Sequence, residues 1–143
     1  MPFRLNISDK GKAWRIETDA PGLLGKSVGD TISGSDISSD FAGYELEITG
    51  GSDFAGFPLS KNVEGINLKK VLLKKGWGMW SKGNGLRMRK TVRGKTITDK
   101  TLQINIKVLK HGSKKLTELF PDQNQPKEKA VKVKAEAVAP VTQ

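Results

Sequence analysis

Cysteine is absent from the 143 residues, which removes disulfide frameworks and thiolate metal sites together. His111 is the only histidine. A zinc site would therefore need carboxylate partners, and none cluster near it in the sequence. Acid-base chemistry would also have to rest on carboxylates. Asp9, Asp19, Asp30, Asp36, Asp40 and Asp53 sit mostly in turn-forming text, where short side chains bond their own backbone. No apolar run approaches the roughly 20 residues of a membrane span, and "MPFRLNIS" lacks the apolar stretch of a signal peptide. The reading is an intracellular, soluble, non-enzymatic chain. The sequon at Asn6-Ile7-Ser8 then carries no meaning.

One further absence has a definite place. Residues 65–98 contain no acid and ten cations, net +10. Residues 1–64 carry 6 cations against 10 acids, and residues 99–143 carry 9 against 5. These flanks cancel, so the whole formal charge of +10 equals that of one 34-residue stretch. Such a cluster repels itself unless a polyanion neutralises it. Nucleic acid is the first candidate and an anionic membrane surface the second.

What is present is strict alternation. Phe3, Leu5 and Ile7 alternate with polar residues, as do Trp14 and Ile16, then Tyr44, Leu46 and Ile48, then Leu102, Ile104, Ile106 and Val108. This is the period of half-buried strands. Turn clusters such as "SDKGK", "SGSDISSD", "GGSDFAGFP" and "SKGNG" separate them. Long helical periodicity is missing. The fold expected is all-β: a small closed or partly open β-barrel with a short C-terminal helix and a disordered tail. "LKKVLLKKG" (68–76) fits a buried strand better than two helical turns. "SKKLTELF" (113–120) is the helix candidate, capped by Ser113 and stopped by Pro121. Residues 1–120 form the domain. Residues 121–143, poor in aromatics and rich in Lys, Ala, Val, Glu, Gln and Pro, read as a disordered tail.

Several motifs have two readings. Gly25-Lys26-Ser27 ends like a phosphate-binding loop, but Ala20 stands where that pattern needs glycine. A plain loop into the "VGDTIS" segment accounts for it. In "ITGGSDFAGFPL" (48–59), Gly50 and Gly51 allow positive φ, Asp53 can close an Asx-turn and Pro58 fixes the exit. This is a tight turn, or a loop whose backbone and Phe54 or Phe57 touch RNA. "KKGWGMWSKGNG" (74–85) sets Trp77 and Trp80 among glycines and lysines, either as core or as indoles that stack on a base.

In "GLRMRKTVRGKTI" (85–97), a strand would align Arg87, Arg89, Arg93 and Lys95 about 6.6–7 Å apart. That step is near the spacing of successive phosphates. Leu86, Met88 and Val92 would face the core, and Lys90 would mark a bulge or an edge. A charged edge strand against aggregation explains one or two lysines. It does not explain an arginine row, whose planar forks suit phosphate.

At these residues a resemblance enters. Ile48, Thr49, Gly50, Gly51, Asp53, Gly56 and Pro58 match the loop signature of the sixth small-subunit ribosomal protein of archaea and eukaryotes. Leu59 stands where the family usually has methionine. "RKTVRG" (89–94) resembles its second signature. "LNIS" (5–8) and "LQINIKVLKHG" (102–112) are similar to its first and last strands. The resemblance spans residues 1–120. It implies a β-barrel bound to ribosomal RNA of the small subunit, with neighbouring ribosomal proteins as partners. It implies no catalysis, cofactor, membrane contact or small-molecule substrate, and a cytoplasmic, ribosome-associated location. By this resemblance Arg89, Lys90, Arg93 and Gly94 would touch RNA; the charge count extends the basic patch to Lys69, Lys70, Lys74, Lys75, Lys82, Arg87, Arg89, Lys90, Arg93 and Lys95. The signature loop is Gly50, Gly51, Asp53, Gly56 and Pro58. "WSKGNGLRM" departs from the denser Arg/Pro text usual there. No serine follows Ser113, so the phosphoserines of eukaryotic members do not carry over, and the short tail fits an archaeal type. The rival reading is a non-ribosomal RNA-binding translation factor.

Overall fold

A computed structural model describes residues 2–125. Of the disordered tail expected over 121–143, residues 121–125 are described and bonded to Ala13 and Arg15 rather than free, and the rest lies outside the described residues. Seven strands and one short helix follow in order: β1 (Phe3–Asp9), β2 (Lys12–Thr18), β3 (Thr31–Ser33), β4 (Glu45–Asp53), β5 (Leu68–Lys74), β6 (Arg87–Arg93), β7 (Thr101–Lys110) and α1 (Leu116–Leu119). Every alternating run named above is a strand. Lys10 and Gly11 both take positive φ, at 45° and 78°. This two-residue link joins β1 to β2 with Asp9 opposite Lys12, and its twist matches that of the flanking strands.

The five-stranded sheet runs β2-β1-β7-β4-β3, and β5 pairs only with β6 in a second, two-stranded sheet. β7 is the centre, parallel to β1 and antiparallel to β4. The expected barrel is therefore corrected: the sheets do not close. β3 has only three residues. The strands of the β5–β6 arm bring no wholly apolar face that could seal a ring.

The core lies on one face of the large sheet. Leu5 and Ile7, Leu46 and Ile48, and Ile104 and Ile106 are fully or almost fully buried there, which supplies the main driving force for folding. Connecting segments cover them with Leu23, Val28, Phe41 and Ile97, and Ile32 of β3 joins the same core. The opposite face is polar. Asn105 Oδ1 accepts from Asn6 Nδ2 at 3.2 Å and from Gln103 Nε2 at 3.1 Å.

The C-terminal helix is shorter than predicted. It holds only Leu116–Leu119, and Lys115, not Ser113, precedes it, without a side-chain cap. Tertiary packing holds this turn in place. Leu116 is buried, Phe120 stacks on Phe41 at 6.1 Å, and the Tyr44 hydroxyl donates to the Lys114 carbonyl. Burial pushes that hydroxyl's pKa above its usual value, with the Asp9 and Glu118 carboxylates adding to the effect.

Residues 121–125 continue onto the sheet edge. Gln123 Oε1 accepts from the Arg15 amide and Nε2 donates to the Arg15 carbonyl, both at 2.7 Å. One side-chain amide thus imitates a neighbouring strand and blocks the open edge of β2. Gln123→Ala should leave the Arg15 amide without its acceptor. Its hydrogen-exchange protection should fall roughly fivefold, from about 1 kcal/mol per bond, while the amides of β7 keep theirs. Equal protection in both proteins would remove this edge role.

Candidate nucleic-acid interface

The two signature stretches meet at the base of the β5–β6 arm. Asp53 ends β4, and Arg93 ends β6. Arg93 Nε donates to Asp53 Oδ2 at 2.8 Å, across 40 residues of sequence. Their side chains are 8% and 0% exposed. Asp53 Oδ1 accepts from the Phe57 amide at 2.8 Å, and Arg93 Nη1 donates to the Ile66 carbonyl at 3.0 Å. Both charges are therefore paired and hydrogen-bonded, as burial requires. The backbone doubles the joint, with Arg93 N bonded to the Pro58 carbonyl and Ser60 N to the Arg93 carbonyl.

This corrects the expectation that Arg93 belongs to a phosphate-facing row. Its guanidinium is spent inside the protein. Lys95 is half-buried and lies 3.3 Å from Glu64. Asp53 closes its own loop through the Phe57 amide four residues on, not through the amide two residues on that an Asx-turn requires, and its arginine partner was not foreseen. The one clue was a carboxylate in one signature and an arginine in the other.

The glycines also act differently from expectation. Gly50 and Gly51 lie within β4 and have no positive φ. A register shift between Ile48 and Gly50 makes a bulge there. Gly51 is required for space, because a Cβ would fall 2.4 Å from the Gln103 carbonyl oxygen. Gly56 does take positive φ, at 90°. Gly94 faces the Gly65 carbonyl oxygen, which a Cβ would approach to 2.0 Å. Pro58 bridges Ser52 and presents its carbonyl to Arg93.

Beyond this joint the arm is exposed. β5 and β6 pair in unbroken register from Leu68 opposite Arg93 to Lys74 opposite Arg87. Lys90 sits opposite Val71 without a bulge, on a strand that is an edge of its sheet. Cross-strand partners share a face. Lys70, Leu72 and Lys74 thus share one face with Thr91, Arg89 and Arg87. Lys69, Val71 and Leu73 share the other with Val92, Lys90 and Met88. The expected core underside is real only at Val92; Leu86 and Met88 are exposed. β5 is a strand as expected, yet an exposed one, with Leu72 60% accessible. Mixed faces explain this, because neither can be buried without burying lysine.

Of the ten predicted cations, Arg93 and Lys95 are paired. The other eight, Lys69, Lys70, Lys74, Lys75, Lys82, Arg87, Arg89 and Lys90, are exposed. None of them forms an ion pair among the described residues. A two-stranded ribbon is marginal alone, and here its charges repel along both faces. Phe54, Trp77 and Trp80 add exposed rings.

The other candidate motif is a turn. Gly25 N donates to the Ile97 carbonyl, Lys26 N to the Leu23 carbonyl and Ser27 N to Asp30 Oδ2. The amides that would cradle a phosphate are already engaged. His111 Nε2 lies 3.6 Å from Asp9 Oδ1 beyond the end of β7.

A family model described as Ribosomal protein S6e matches residues 3–121. The chain belongs to that family. Both signature stretches and the whole basic arm fall within the matched residues. A Nanoarchaeum equitans protein named small ribosomal subunit protein eS6 is 47% identical over 120 residues, covering 82% of this chain and 88% of that relative. Proteins of the same name from Methanothermobacter thermautotrophicus and Archaeoglobus fulgidus are 44% and 45% identical. Each match covers 84% of this chain and 96% of the relative. The family features read from the sequence thus land on two parts of one device, a buried joint and a cationic arm.

Proposed function

We propose that this chain is a structural constituent of the small ribosomal subunit that binds and stabilises ribosomal RNA through the β5–β6 arm. Eight exposed cations on that arm, without acidic partners among the described residues, carry the reading. Lys69, Lys70, Lys74, Lys75, Lys82, Arg87, Arg89 and Lys90 are its phosphate contacts. Arg93, Gly94, Asp53 and the signature glycines set the direction of the arm. Phosphate contacts position a protein without reading sequence, which suits recognition of folded RNA by shape. Domain 1–120, a cytoplasmic location on the ribosome and contacts with neighbouring ribosomal proteins belong to the same reading.

Sedimentation of cell lysate through a sucrose gradient tests it. The protein should co-migrate with small subunits and stay with them through a high-salt wash. Recovery mainly in the free fraction, or stripping at modest salt, would instead favour the transient translation factor.

A further inference from the structure

The loop that joins β5 to β6, residues 75–86, carries the most exposed large hydrophobic side chain of the described residues. Trp80 is 88% accessible. Its neighbours explain why it projects. Gly76 and Met79 bond each other's backbone, N to O at 3.0 and 3.2 Å. They close a turn in which Gly76 and Gly78 take positive φ. Met79 is buried, and Trp77 lies over a cleft with Val28, Thr49 and Leu59. The loop is thus anchored immediately before Trp80, and the indole is presented outward from a fixed point. Lys74, Lys75, Lys82 and Arg87 surround it in sequence and are all exposed.

An outward indole with exposed cations on both sides of it in sequence offers the two elements that hold single-stranded nucleic acid, a stacking surface and phosphate-attracting charge. We propose that Trp80 is a stacking platform for an unpaired RNA base, beside the phosphates held by β5 and β6. The proposal rests on the RNA-binding reading above and adds a subsite for an unstacked nucleotide. Charge decides for RNA: no acid lies within residues 65–98 to answer a basic protein surface.

The test uses the full chain labelled with 5-fluorotryptophan. Its Trp80 signal is identified among the three indole fluorine resonances with Trp80→Phe. It is titrated with a 12-nucleotide oligoadenylate and with a blunt 12-base-pair RNA duplex at equal phosphate concentration. The Trp80 resonance should shift with oligoadenylate and stay in place with the duplex. Trp80→Ala, at an exposed position that does not threaten folding, should bind oligoadenylate roughly 5- to 150-fold more weakly, the range for one stacked base. The slope of affinity against salt should not change, and Trp80→Phe should retain most of the binding. An unmoved Trp80 signal with salt-dependent binding of both RNAs would overturn the stacking role alone. Binding of neither RNA would overturn the RNA reading beneath it. A Trp80 shift produced only by vesicles of anionic phospholipid would overturn the proposal in favour of a membrane surface.

Discussion

Asp53→Ala is expected to cost about 3–5 kcal/mol of stability, the loss seen when one partner leaves a buried ion pair. The alanine would strand the Arg93 guanidinium, 8% exposed, against the end of β4. It would also leave the Phe57 amide without its acceptor. Arg93→Ala should cost a similar amount, since it strands a carboxylate that is 0% exposed. The two losses should not add. In the double variant Asp53→Leu/Arg93→Met no charge is left buried alone, and apolar replacement of such a pair is often close to neutral. Urea denaturation of all variants measures this directly. The double variant should be more stable than either alanine variant. A loss in Asp53→Ala/Arg93→Ala equal to the sum of the two single losses would show that the pair does not act as a unit. The consequence for function follows from position. This joint fixes the base of the arm, so losing it should weaken RNA binding while the number of phosphate contacts stays the same.

The second large effect separates contact from support. If six of the eight exposed cations each meet a phosphate, log K against log salt should slope about −4 to −5, at 0.7–0.9 per contact. Replacing Lys74, Arg87, Arg89 and Lys90 together with glutamine should reduce that slope by about 3. At 0.1 M salt the same arithmetic gives a loss of roughly a thousandfold in affinity for small-subunit ribosomal RNA. The fold should survive, because all four side chains are exposed and removing like charges relieves repulsion. The Asp53→Leu/Arg93→Met protein is the control. It removes a cation from the same basic signature, yet its slope should match that of the native chain. A filter-binding series from 50 to 400 mM salt, a range of about the width such slopes require, reads both. An unchanged slope in the quadruple variant would refute the phosphate role of the arm. A slope reduced in the control would return Arg93 to the interface.

The contrast between Arg89 and Arg93 shows what sequence can and cannot say here. Both stand at alternate positions of one strand, and both belong to "RKTVRG". Period alone places them on the same side. One lies out on the arm and the other is buried in the joint, because β6 leaves the body between them. The same limit explains Leu86 and Met88. Their alternation with arginine reads as a core face, but the partner that would cover them is only a second thin strand. The glycines of the loop signature pose a related problem. Composition marks Gly50 and Gly51 as turn residues, while the real demand on Gly51 is the approach of the Gln103 carbonyl, a residue far along the chain.

By itself the sequence determined the strands, since alternation reports which residues will face a core. It also located the charge, since no folding can add acids to residues 65–98, and its two signatures pointed to the family. Tertiary structure alone decided that the sheets stay open, that Asp53 and Arg93 meet across 40 residues, and that Met79 anchors the loop before Trp80. These depend on which distant backbones come within a few ångströms of each other. Burial and pairing energies at that range come from neighbours in space, and a local pattern records only neighbours along the chain.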